Sequence, residues 1–202
     1  MTKAQIVTVL NSRLNRSETA TTLAEAIKAG LKFVSDFARW PCLWHSAEYT
    51  TSEGDDNIAW PADFNELDRI VVNDGDNDSD PLTEITFREW LRNREDESSS
   101  NYDEPRHYAE RGQYFYLDPP PDDNNYTITV YFWRYHPDQD TILFPESFRE
   151  AVFNAVMGKY IEAKGASETF MKAANYYLSI SVREMNKLPR DERESRVKYH
   201  DI

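Results

Sequence analysis

Four aspartates alternate within one short stretch, Asp74, Asp76, Asp78 and Asp80. Clustered carboxylate oxygens are what a hard cation such as calcium takes. The EF-hand pattern, however, places glycine at its sixth position and glutamate at its twelfth, and here those positions hold Ser79 and Ile85. The stretch therefore reads as a solvated acidic loop. His45, His107, His136 and His200 are scattered, with no pair at helical metal-ligand spacing, and Cys42 has no cysteine partner. Cys42 and His45 lie three residues apart in what reads as a strand. That spacing puts them on opposite faces and argues against a thiolate–imidazole pair.

Carboxylate pairs are abundant, because 36 acids stand against 23 Lys and Arg. Two will fall close together by chance, so no glycosidase-like pair is singled out. Trp60, Trp90, Tyr114 and Tyr116 would suit an aromatic sugar groove, although ordinary sheet packing accounts for them more simply. There is no Gly-rich phosphate loop and no nucleophile elbow. The residues name no reaction and call for no cofactor.

The net charge of -13 disfavours a phosphate backbone as partner. Arg106, Arg111 and Arg134 are too few for a nucleic-acid platform. DNA would slide past such a surface without sticking. Most of the excess acid lies in residues 53–104. A single cysteine allows no internal disulfide and marks no oxidising compartment. No leader pattern opens the chain, and no apolar run approaches the ~18 residues that span a bilayer. A soluble protein made in the cytoplasm, without membrane contact, is expected.

Residues 3–14 place Ile6, Val9, Leu10 and Leu14 at helical spacing. A second helix is expected from Thr21 or Thr22, with Thr22 and Glu25 as a capping box and Pro41 as the stop. Alternation from Leu43 predicts a strand to Thr51, then a short extended piece at residues 58–64 and another strand at 66–72. Residues 81–85 are expected to pair briefly. Thr86 caps a short helix to Arg94 whose buried face is Phe87, Trp90 and Leu91. Residues 107–110, 114–117 and 126–135 read as an antiparallel meander. Pro145 and Glu146 open a third helix bearing Phe148, Val152, Phe153, Val156, Met157, Tyr160 and Ile161. A fourth runs over 167–188, with Phe170, Tyr177, Ile180 and Met185 on its apolar side.

These patterns predict an α+β chain: a helical bundle of two N-terminal and two C-terminal helices, an inserted antiparallel β-sheet region and a flexible C-terminal tail. The expected parts are 1–42 with 144–188 as the bundle, 43–143 as the β-rich insertion, and 189–202 as the tail. The tail mixes Arg190, Arg193, Arg196 and Lys198 with Tyr199 and Ile202. It suits a segment that orders on a partner.

Several stretches together carry a resemblance. They are Phe37-Ala38-Arg39-Trp40-Pro41, Trp60-Pro61-Ala62-Asp63-Phe64, Tyr114-Phe115-Tyr116-Leu117-Asp118-Pro119, and the helix opening Phe144-Pro145-Glu146-Ser147-Phe148. In this combination the chain resembles phage head-to-tail adaptor proteins, also called connector or gatekeeper-ring proteins, and the tubular tail proteins of short-tailed phages. The resemblance implies a non-enzymatic structural protein of the virion neck, made in the host cytoplasm. It implies a homo-oligomeric, twelve-fold ring between the portal protein and a tail or nozzle protein, with DNA passing through unread. It also implies that residues 189–202 dock into the portal, with Arg190, Arg193, Arg196, Lys198, Tyr199 and Ile202 as the docking residues. The acidic stretch from Asp74 to Glu104 departs from that pattern. Two other readings stay open: a carbohydrate-active or glycan-binding tail component, and an acidic DNA mimic.

Overall fold

A computed structural model describes residues 1–14, 17–73, 80–95, 102–122 and 126–162, together with Lys172, Asn175, Tyr176, 178–180 and Arg183. The chain divides into two compact units. One joins Met1–Trp44 to Arg134–Ile202, and the other is His45–Trp133.

In the first unit, α1 (Lys3–Leu14) buries Ile6 and Leu10. Helix α2 (Ala20–Asp36) carries Leu23, Ile27, Leu31 and Val34 at the spacing of one helical face, and all four are buried. It begins before Thr22, which therefore lies inside the first turn instead of capping it. It also ends before Pro41. The Trp40 indole N–H donates to the Val34 carbonyl at 2.6 Å and satisfies one of the open carbonyls at the helix end. Pro41 then opens a single 3₁₀ turn, Pro41–Leu43. A second 3₁₀ turn, Glu146–Phe148, leads into α4 (Arg149–Glu162), which buries Val152, Phe153, Val156 and Met157. Helix α2 packs on α4 so closely that a Cβ at Gly30 would stand 2.6 Å from Val156 Cγ2. Glycine is required there by approach.

His136 is buried in this unit and fully used. Its Nε2 accepts the Leu143 N–H at 2.9 Å, so Nδ1 carries the proton and donates to the Pro137 carbonyl at 2.8 Å. Its backbone N–H donates to Ser35 Oγ at 3.1 Å. It is a structural histidine that fastens the segment returning toward α4.

The second unit contains β1 (Trp44–Thr50, whose first residue belongs to the other unit), β2 (Asn57–Ala59), β3 (Phe64–Asn73) and β4 (Thr83–Glu84). These are followed by α3 (Phe87–Asn93), β5 (His107–Arg111), β6 (Tyr114–Asp118) and β7 (Thr127–Arg134, whose last residue belongs to the other unit). The strands form two sheets, one ordered β1-β7-β3 and the other β2-β6-β5-β4. Ile70, Val72, Ile128, Val130 and Phe132 from the first sheet and Ile58, Tyr108, Phe115 and Leu117 from the second share one core.

The expected bundle with an inserted antiparallel sheet is corrected by this arrangement. The class is α+β, but strands are spread from residue 44 to 134, are interrupted by α3, and make two sheets. An isolated bridge between Thr2 and Thr141 adds pairing outside them. Nor is the pairing wholly antiparallel, since β4 and β5 run parallel, with Thr83 opposite His107. The expected meander also fails. Strands β5 and β6 form a hairpin, whereas β7 joins the other sheet after the proline-rich connection that follows Asp118. The fourth bundle helix lies mostly outside the described residues. Where it is described, Leu178 is the buried residue and Ile180 is exposed, the reverse of the expected apolar side. Among the described residues, no helix is long and apolar enough to cross a membrane.

Candidate functional site

Strand β6 alternates strictly. Phe115 and Leu117 point into the core, and Tyr114 and Tyr116 face the other way. Helix α3 covers part of this outer face. Thr86 caps it, its Oγ1 accepting the Glu89 N–H at 3.2 Å. One turn of helix brings Phe87 and Trp90 to the same side, with ring centroids 5.0 and 4.9 Å from Tyr116. The Trp90 indole N–H donates to the Leu117 carbonyl at 2.9 Å. Arg111 lies over the Phe87 ring at 4.3 Å, and Asn93 donates to Asp118 at 2.8 Å. Leu91, expected in the buried face, is 47% exposed, whereas Trp90 beside it is buried.

The four aromatics singled out from the sequence are thus divided. Trp90 and Tyr116 are consumed in fastening α3. Trp60 and Tyr114 line one open cleft of about 330 Å³, with Pro61, Asp63, Phe64 and Gln113. Register makes this pocket. Ala59 sits opposite Tyr114, and the Trp60 backbone N–H donates to the Gln113 carbonyl at 2.9 Å. That bond brings the end of β2 beside the β5–β6 turn. The turn Pro61–Phe64 closes through a 3.3 Å bond and holds Asp63 at φ 57, a left-handed setting that aspartate tolerates. The Trp60 ring packs on Phe64 at 4.6 Å, and its buried Nε1 makes no hydrogen bond to another described residue. An unsatisfied buried donor costs roughly 1–3 kcal/mol. Asp63 and Gln113 were not picked out from sequence. The only signal was their position in turns flanking aromatic strands.

The other candidates resolve differently. Cys42 lies in the 3₁₀ turn and not in a strand, which corrects the expected opposite-face geometry. Burial pushes its thiol up to about 12, leaving it an inert packing residue. Residues 74–79 of the acidic loop lie outside the described residues. Among the described residues, no group of three or more His, Cys, Asp or Glu side chains is placed to hold a metal ion. The docking residues Arg190, Arg193, Arg196, Lys198, Tyr199 and Ile202 also lie outside the described residues.

Charge follows the division into units. His45–Trp133 contains 22 acids against 6 arginines and no lysine, a formal -16. The other unit contains 14 acids against 17 Lys and Arg, a formal +3. Most arginines of the acidic unit are already engaged there. Arg69 pairs with Asp68, Arg92 with Glu89, Arg94 with Asp56 and Arg106 with Asp103. Burial first, and the nearby Glu84 second, raise the Glu110 carboxyl above its ordinary value.

The sequence matches the SU10 adaptor protein family over residues 1–199. The chain belongs to that family. A comparison with curated proteins finds no match. Membership identifies a phage head-to-tail adaptor, a structural component of the virion neck, as the sequence resemblance implied. For an SU10 adaptor the fold described above offers packed aromatic surface and concentrated charge, and these are features of an assembly part. Its α3 clamp is structural, and the Trp60–Tyr114 cleft is an open concavity with mixed polar and aromatic walls.

Proposed function

We propose that this adaptor closes into a twelve-fold ring under the portal, extends the DNA channel and offers its free surface to a tail or nozzle protein. The family match over residues 1–199 carries this reading. The strong acidity of residues 45–133 supports it, because a wall of that sign repels DNA and lets it pass. Residues 189–202 dock into the portal. Arg190, Arg193, Arg196 and Lys198 supply charge, and Tyr199 and Ile202 supply apolar anchors. The segment orders as it docks, so it pays its ordering entropy at that step, and free protein associates weakly. No catalytic step belongs to this role.

Native mass spectrometry of the protein alone and mixed with portal complex tests the reading. The expected result is a monomer alone and about twelve added copies on the portal ring. Removing residues 189–202 is expected to leave the circular dichroism spectrum unchanged and abolish attachment. Indifference of the full chain to portal, or normal attachment of the shortened chain, overturns the assignment.

A further inference from the structure

We propose that the cleft between the end of β2 and the β5–β6 turn binds a neutral sugar residue. This is separate from ring assembly and does not depend on it. The cleft measures about 330 Å³, at the small end of ligand sites, which run from about 300 to 1,000 Å³. That size fits a sugar unit and not an extended chain.

Its walls supply both halves of what a sugar needs. Tyr114 is 44% exposed and offers an aromatic face to the C–H side of a pyranose ring. The Asp63 carboxylate, the Gln113 amide and the Tyr114 hydroxyl make no hydrogen bond to another described residue. A carboxylate that only accepts, beside an amide that both donates and accepts, can span adjacent sugar hydroxyls. The backbone fixes these groups. Gln113 is tied to Trp60 through its carbonyl, and Asp63 is set by the closed turn Pro61–Phe64. Buried in the same wall, the Trp60 Nε1–H has no partner among the described residues and is a further donor.

Charge narrows the ligand. The surrounding unit carries a formal -16, and Asp63 stands in the cleft itself, so phosphorylated sugars and uronic acids are repelled. A basic peptide is the competing ligand. For such a peptide the cleft lining holds one carboxylate only, Asp63, beside the apolar Pro61 and Phe64.

Saturation-transfer difference NMR on the full chain tests this. The probes are the methyl glycosides of glucose, galactose, mannose and N-acetylglucosamine, with an arginine-rich peptide alongside. Enhancement of the ring protons of at least one glycoside is expected. Tyr114→Ala and Asp63→Asn should each weaken it roughly fivefold to tenfold. Leu91→Ala, on the exposed side of α3, should leave it unchanged. Gln113→Ala, in an exposed turn, is the second variant if Tyr114→Ala does not fold. Absence of enhancement with every glycoside, equal enhancement in the cleft variants, or enhancement with the peptide alone overturns the proposal. Portal attachment of Tyr114→Ala is expected to be normal, which separates failure here from failure of the ring assignment.

Discussion

The two units of this adaptor solve the same problem with different materials. The helical unit holds all eight lysines, is close to neutral, and buries aliphatic helix faces around Trp40, Phe144, Phe148 and Phe153 in a core where α2 and α4 meet at Gly30. The sheet unit has no lysine, carries a formal -16, and closes around Phe115, Phe132, Phe64 and Trp60. Helices tolerate long flexible cations along their outer faces. Sheets of short strands expose many loop positions, and here those positions hold aspartate and glutamate. Mutual repulsion of the acids works against the compact state. It is offset by burial and not by ion pairs, since exposed pairs such as Arg106–Asp103 are worth little. Shape is carried by the buried residues and charge by the exposed ones. The charge of the second unit is therefore free to serve a partner or to keep one away.

The strongest way to break this contrast is to remove an aromatic from the sheet core. Phe115 is fully buried and touches Trp60, Phe64 and Tyr108. Phe115→Ala is expected to cost about 3–5 kcal/mol. Hydrogen exchange measured peptide by peptide should show the loss in β2, β5 and β6, while α2 and α4 keep their protection. Equal loss in both units would mean that they unfold as one body. The converse substitution is Gly30→Ala. Its new methyl would fall 2.6–2.8 Å from Val156 side-chain and backbone atoms, and backbone cannot step aside cheaply. Overpacking of this kind costs about 1–3 kcal/mol. The same exchange measurement should place the loss in α2 and α4.

Alkaline titration sharpens the comparison by a smaller effect. Burial, and then Glu84 and Glu110, push the Tyr108 hydroxyl from 10.0 up to about 12. A group whose folded value is raised favours folding while it stays protonated. The Tyr108 contribution is therefore complete below pH 10 and lost as pH climbs toward 12. In the helical unit Cys42 rises from 9.0 to about 12, mainly by burial, so its loss begins one pH unit earlier. Denaturant midpoints followed unit by unit from pH 8.5 to 12 should fall first in the helical unit. Cys42→Ala should remove that early fall and leave the sheet unit unchanged. An early fall that survives Cys42→Ala would assign it to another group.

Much of the local structure was legible in residue order. Alternation marked β1, β3, β6 and β7, and Thr86 with Glu89 marked α3 within a residue at each end. The helical stripes of α2 and α4 named most of their buried residues. What failed was pairing. Nothing in residues 126–135 distinguishes a strand that continues a hairpin from one that crosses to a second sheet, because alternation is the same in both. The early end of α2 was missed for a similar reason. Its stop is the Trp40 indole folding back on Val34, a contact between side chain and backbone that helical spacing does not encode. At the cleft, Trp60 and Tyr114 stood out by type, whereas Asp63 and Gln113 looked like any turn residues.

By itself the sequence determined the helix and strand segments, the acidity of the middle, and membership of the adaptor family. These depend on periodicity, composition and motif, all of which are local or summed along the chain. Only the tertiary structure decided that the strands make two sheets, that Leu91 is exposed while Trp90 is buried, and that Trp60, Asp63, Gln113 and Tyr114 share one cleft. Each of those depends on which residues far apart in the chain are hydrogen-bonded opposite one another, and that register is settled by burial of the whole core at once.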